Sequence, residues 1–94
     1  MSERPLILVV EDSDTIREVV SRVLVRGGYD VVGAADGEEG VRLFESRRPD
    51  LVVLDVRMPK MDGWQVLERI RAWSDKPVLV LSGEDEQSSK VRML

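Results

Sequence analysis

The chain has 94 residues, 43 % of them hydrophobic, enough for one small domain with a single core and too few for two. It contains no cysteine and no histidine, which excludes disulfides, thiolate metal sites and imidazole general bases and leaves any chemistry to carboxylates, hydroxyls, lysines or backbone groups. A net charge of -4 argues against direct nucleic-acid binding, which needs clustered Lys and Arg, and makes Arg47 and Arg48 a solvated helix end.

In chain order, the first apolar run is LILVV at 6–10, too short for a signal-peptide core or a membrane span, so a soluble, cytoplasmic chain is expected. Further runs follow at 51–54 and 78–81, with a weaker one around Val31 and Val32. Continuous β-branched or Leu runs without polar alternation suit strands buried on both faces of a parallel sheet. Between them the period changes to that of helices. A first helix would place Ile16, Val19, Val20, Val23 and Leu24 on one buried face and stop at Gly27-Gly28. A second would start at Asp36, with Glu39 at capping-box spacing, and bury Val41 and Phe44. A third runs from about Trp64 through Val66, Leu67, Ile70 and Trp73 until Lys76-Pro77 closes it. Strand and helix alternate, which implies right-handed crossovers and a doubly wound α/β sheet with helices on both faces.

Ligands of such sheets bind beyond the carboxyl ends of the strands, and every residue directly after a strong apolar run is oxygen-bearing. The first run ends in Glu11-Asp12, the next in Asp55 and the last in Ser82. If these strands adjoin, three carboxylates and a hydroxyl converge. Crowded carboxylates repel one another and a hard cation relieves this, so an all-oxygen set points to Mg2+. A carboxylate is already ionised at neutral pH and can itself attack phosphorus, so the missing histidine is no obstacle to phosphoryl chemistry. Taken alone, Asp12, Ser13 or Asp14 could simply cap the first helix, and Ser82 could be a turn residue. Asp55 is harder to dismiss, because a carboxylate abutting four apolar residues is costly to desolvate without a partner or a cation.

The segments LILVVEDSD from Leu6, LVVLDVRMPKMDGWQVL from Leu51 and PVLVLSG from Pro77 resemble, in order and spacing, the receiver domain of two-component response regulators. MPKMDG carries most of that specificity. The resemblance covers essentially the whole chain and implies a flavodoxin-like receiver fold with strand order 2-1-3-4, a single receiver domain over 1–94 that lacks the family's fifth strand and last helix. It implies Asp55 as phospho-acceptor, Asp12 as direct Mg2+ ligand, Glu11 as a ligand through water, the backbone carbonyl of Arg57 as a further ligand, and Ser82 as the hydroxyl that turns to the phosphoryl group. The implied donor is a phosphohistidine on a sensor histidine kinase or phosphotransfer protein, and the implied role is signalling rather than metabolic catalysis. The family's fifth strand ends in a lysine that pairs with the phosphoryl group, and Lys60, Lys76 and Lys90 all precede that position. Without that strand, the 78–81 run is expected to form an exposed apolar edge prone to self-association.

Two other readings compete. Asp12-Ser13-Asp14-Thr15-Ile16 nearly matches the nucleophile motif of haloacid-dehalogenase-type phosphatases, with Asp12 as nucleophile and Asp14 as acid, but leaves Asp55 and MPKMDG unexplained. A receiver-like module that binds a partner without phosphorylation would fit the absent lysine but not the intact acidic pair.

Overall fold

The computed structural model describes residues 4–55, 63–72, 74–82 and 90–93. Arg57, the loop residues at 58–62 and Trp73 lie outside the described residues. The elements are β1 (Leu6–Val10), α1 (Asp14–Arg26), β2 (Asp30–Ala34), α2 (Gly37–Arg47), β3 (Leu51–Asp55), α3 (Gly63–Arg71), β4 (Val78–Ser82) and β5 (Lys90–Met93). They form one sheet of order β2-β1-β3-β4-β5, in which the first four strands are parallel. The α/β class and the order 2-1-3-4 expected from the sequence are therefore both present.

Alternate residues of each strand serve opposite faces, as the pleat requires. Leu8, Val10, Val52, Leu54, Val78 and Val80 point to one side and pack with Val41 and Phe44 of α2 and Val66 and Ile70 of α3. Ile7, Val9 and Val53 point to the other, where Val20 and Leu24 of α1 meet them. Helices thus cover both faces, which is why the strand sequences show no polar alternation.

The helix ends follow local chemistry. Ser13 is the N-cap of α1, its hydroxyl accepting from the Ile16 N–H at 3.3 Å, so the capping reading held for Ser13 and left Asp12 outside the helix. Asp36 caps α2 by accepting from the Glu39 N–H at 2.9 Å, while Glu39 reaches back to accept from the Ala35 N–H at 2.8 Å. α1 ends at Gly27, and Gly28 follows at φ 100°, a conformation that suits glycine.

α1 departs from the expected burial. Val20 and Leu24 are half-buried, but Ile16, Val19 and Val23 are 49 %, 54 % and 63 % exposed. Five residues at helical spacing span too wide an arc for one helix resting on a flat sheet, and only the arc facing the sheet is covered.

The edge of β4 also differs. It was expected to be bare, yet β5 pairs with it antiparallel, Leu79 opposite Met93 and Ser82 opposite Lys90. Only residues 83–89 separate the two strands, and a parallel return needs a crossover of about a dozen residues or more, so the chain can come back only antiparallel. Self-association through an unpaired β4 edge is ruled out in this arrangement, and Lys90 opens a fifth strand of opposite direction to the one the resemblance implies.

α2 lies close against β1. A Cβ added at Gly40 would sit 2.9 Å from Cγ2 of Val10, a buried branched side chain with no room to withdraw. Gly40→Ala is therefore expected to destabilise the fold by about 1–3 kcal/mol despite the better helix propensity of alanine, as chemical denaturation would measure.

Candidate functional site

The carboxyl ends of the strands lie at one rim of the sheet because their registers align. Val10 is level with Leu54, and Asp55 with Leu81, so Glu11, Asp55 and the end of β4 at Ser82 close neighbouring strands. The Glu11 N–H donates to the Ala34 carbonyl at 3.0 Å, carrying the β1–β2 ladder one residue beyond β1. Asp12 follows before the helix cap.

This alignment brings Glu11, Asp12 and Asp55 together, with one carboxylate oxygen from each within 4.8 Å of the others. Glu11 is buried at 4 % exposure, Asp55 is half-buried and Asp12 is exposed, so the cluster opens outward at Asp12. Burial pushes the Glu11 carboxyl up from its ordinary value of 4.5 to about 7. The Ser13 N–H, donating to its Oε2 at 3.0 Å, works against this, while the charge of Asp55 and hydrogen bonds shared with Asp12 and Asp55 add to it. Burial is the larger cause of the rise, and the crowding of three carboxylates leaves negative charge at the rim to be compensated. A hard divalent cation with oxygen ligands supplies that compensation, and an all-carboxylate set suits Mg2+ or Ca2+ over softer metals.

Arg17 was not singled out from the sequence and is part of this framework. Its Nη1 donates to the Glu11 carbonyl at 2.8 Å and its Nη2 to Asp14, which ties the start of α1 to the acidic corner. Its position was a usable signal, since Arg17 falls at helical spacing with the inward-facing Val20 and Leu24. Asp14, held by Arg17, is not a member of the acidic cluster. The Ser82 backbone lies at the end of β4 as expected, and Arg57 is outside the described residues.

The family model for the response regulator receiver domain matches residues 7–94. The chain belongs to the response-regulator receiver family. Over 86 residues it is 44 % identical to the alkaline phosphatase synthesis transcriptional regulatory protein PhoP of Bacillus subtilis, covering 90 % of this chain and 36 % of that protein. It is 40 % identical over 89 residues to a probable transcriptional regulator, ycf27, of Porphyridium aerugineum, covering 95 % of this chain and 37 % of the relative. The receiver thus spans little more than a third of the length of these relatives. Among solved structures, the chemotaxis protein CheY4 of Vibrio cholerae superposes with a TM-score of 0.83 at 35 % identity, covering 88 % of this chain and 72 % of that one. The receiver domain of the hybrid histidine kinase CckA gives 0.79 at 41 % identity, covering 85 % and 77 %. A receiver of two-component signalling sets aside the phosphatase reading, in which Asp12 and Asp14 would act together. No helix among the described residues is long and apolar enough to cross a membrane.

Glu11 makes the stability of this receiver pH-dependent in a direction opposite to that of most carboxylates. Its folded value lies above its unfolded one, so between about 4.5 and about 7 the folded chain holds a proton that the unfolded chain releases. Its contribution is complete below about pH 4.5 and declines as pH rises through about 7. Glu11→Gln is expected to remove this decline, so that the metal-free variant gains stability over the parent as pH is raised from 5 to 8, which paired thermal melts would show.

Proposed function

We propose that this chain is a single receiver unit over 1–94 that accepts a phosphoryl group on Asp55 from a phosphohistidine of a sensor histidine kinase or phosphotransfer protein, in the cytoplasm. The observation that carries the reading is the convergence of Glu11, Asp12 and Asp55 at the carboxyl rim of the sheet. A carboxylate oxygen of Asp55 attacks phosphorus, the O–P bond forms as the P–N bond breaks, and the leaving imidazole takes up a proton from solvent. Asp55 needs no general base, in keeping with a chain that has no histidine.

Glu11, Asp12, Asp55 and the carbonyl of Arg57 are the groups that would hold Mg2+. When bound, the ion supplies charge neutralisation to the transferring group. The chain's own contribution is placement. β1 and β3 are adjacent parallel strands that fix the acidic corner, and Arg17 and Ser13 anchor the backbone and side chain of Glu11. Ser82, at the end of the next strand, is assigned the hydroxyl that engages the phosphorylated Asp55. A change between two pre-existing states, biased by those contacts, would carry the signal.

The test is incubation with acetyl phosphate, followed by intact mass measurement with Mg2+ and with chelator. Gain of one phosphoryl group only with Mg2+ supports this reading. A folded, Mg2+-binding chain that gains none would favour a receiver that works by binding alone, against which the intact acidic cluster now stands.

A further inference from the structure

We propose that Arg17 and Gly33 together brace the metal corner: Arg17 supplies the Glu11 carbonyl with the hydrogen bond that β2 withdraws, along a path that Gly33 leaves open. On the reading given above, Glu11 and Asp12 hold Mg2+. Arg17 and Gly33 act through them as positioning residues and belong to no part of the acidic cluster. In the pairing of β1 with β2, Val10 is level with Ala34, and the Glu11 N–H donates to the Ala34 carbonyl at 3.0 Å. The next rung of an unbroken parallel ladder would bring the Asp36 N–H to the Glu11 carbonyl. By that point the chain has turned away, because Asp36 is the N-cap of α2 and the Ala35 N–H donates to Glu39. Arg17 donates to this carbonyl instead, with Nη1 at 2.8 Å and a side chain only 23 % exposed. The carbonyl belongs to the peptide that joins Glu11 to Asp12. One bond therefore fixes where both carboxylate side chains leave the backbone.

The path from α1 to that carbonyl crosses β2 at Gly33. This residue is level with Val9 and, two positions from Val31, lies on the α1 side of the sheet. A Cβ added there would sit 3.1 Å from Cδ of Arg17 and 3.5 Å from its Cγ and Nε. The guanidinium is held beyond this point by Glu11 and Asp14, so the stem cannot swing aside and keep both bonds. Glycine weakens a strand interior, and the close approach of another group is a physical reason for one to stand there. Arg17 also carries a positive charge, which by itself repels a cation. Charge alone therefore predicts that losing Arg17 tightens Mg2+ binding, whereas loss of the brace weakens it. The two roles differ in sign.

Calorimetric titration of the 94-residue chain with Mg2+, with thermal melts of the same metal-free preparations, tests this. Arg17→Met keeps most of the apolar stem and should weaken Mg2+ binding about tenfold, even though a positive charge is lost. Gly33→Val changes no charge and suits a strand, and it should weaken binding by a similar factor of about ten as the stem is pushed off the Glu11 carbonyl. Gly33→Ala should fall between Gly33→Val and the parent, and it carries the same test should the larger change unfold the chain. The double variant Arg17→Met with Gly33→Val should bind no more weakly than Arg17→Met, because no bond to the carbonyl is left to displace. Unchanged or tighter binding in Arg17→Met overturns the proposal. So do losses that add in the double variant, or losses in affinity that only follow a lowered melting temperature. A parent that binds no Mg2+ overturns the reading of the site and the brace with it, whereas a parent that binds as tightly as its variants overturns the brace alone.

Discussion

Asp55→Asn is expected to abolish phosphoryl uptake altogether while leaving the fold intact. Asparagine keeps the shape of the side chain at the half-buried end of β3 but loses the anionic oxygen that would attack phosphorus in the proposed reaction. Of the two carboxylates within 4.8 Å, Asp12 lies at the open side of the cluster, where it is proposed to hold the cation. Glu11 is buried and its proton is retained up to about pH 7, which makes it a poor nucleophile. The variant also removes a negative charge beside Glu11, so the metal-free protein should melt at or above the temperature of the parent. Loss of uptake through unfolding would show as a lowered melting temperature, and that outcome would leave the acceptor assignment without support.

The second large effect is on metal binding. Asp12→Asn is expected to weaken Mg2+ binding by about tenfold or more, equivalent to at least ~1.4 kcal/mol, because one of three carboxylates within 4.8 Å is neutralised at the open side of the cluster. The same change relieves repulsion among the carboxylates when no metal is bound. Mg2+ affinity should therefore fall while metal-free stability holds or rises, two shifts of opposite sign. Isothermal titration and thermal melts of one preparation would measure both. A variant that loses stability and keeps its Mg2+ affinity would mean that Asp12 serves the α1 cap rather than a cation.

Much of this was legible in the amino-acid sequence because the strands announce themselves. The described side chains of the runs at 6–10, 51–54 and 78–80 are buried or half-buried on both faces, and the oxygen-bearing residues that follow these runs fall at one rim by the rule of parallel sheets. The cap at Asp36 is local chemistry and was equally visible, whereas Ser13 was one of three candidates, with Asp12 and Asp14, for the cap of α1. What could not be read depends on how elements meet in space. The periodicity of α1 marks five apolar positions but not which of them reach the sheet, and Ile16, Val19 and Val23 do not. The return of β5 onto β4 is set by the short 83–89 connection, a constraint that becomes visible only once Lys90–Met93 is known to be a strand. Arg17 gave a partial signal by its spacing with Val20 and Leu24, but its bond to the Glu11 carbonyl exists only in the folded corner. The raised proton affinity of Glu11 likewise needs the burial and the nearness of Asp55 that tertiary structure supplies.

The most direct test of the central claim is to locate the phosphoryl group. After incubation with Mg2+ and acetyl phosphate, borohydride reduces an aspartyl phosphate to homoserine, and peptide mass mapping then finds the modified residue. Homoserine at position 55 in the parent, with none in Asp55→Asn, is the expected result. Homoserine at position 12, or modification that persists in the Asp55→Asn variant, would contradict it.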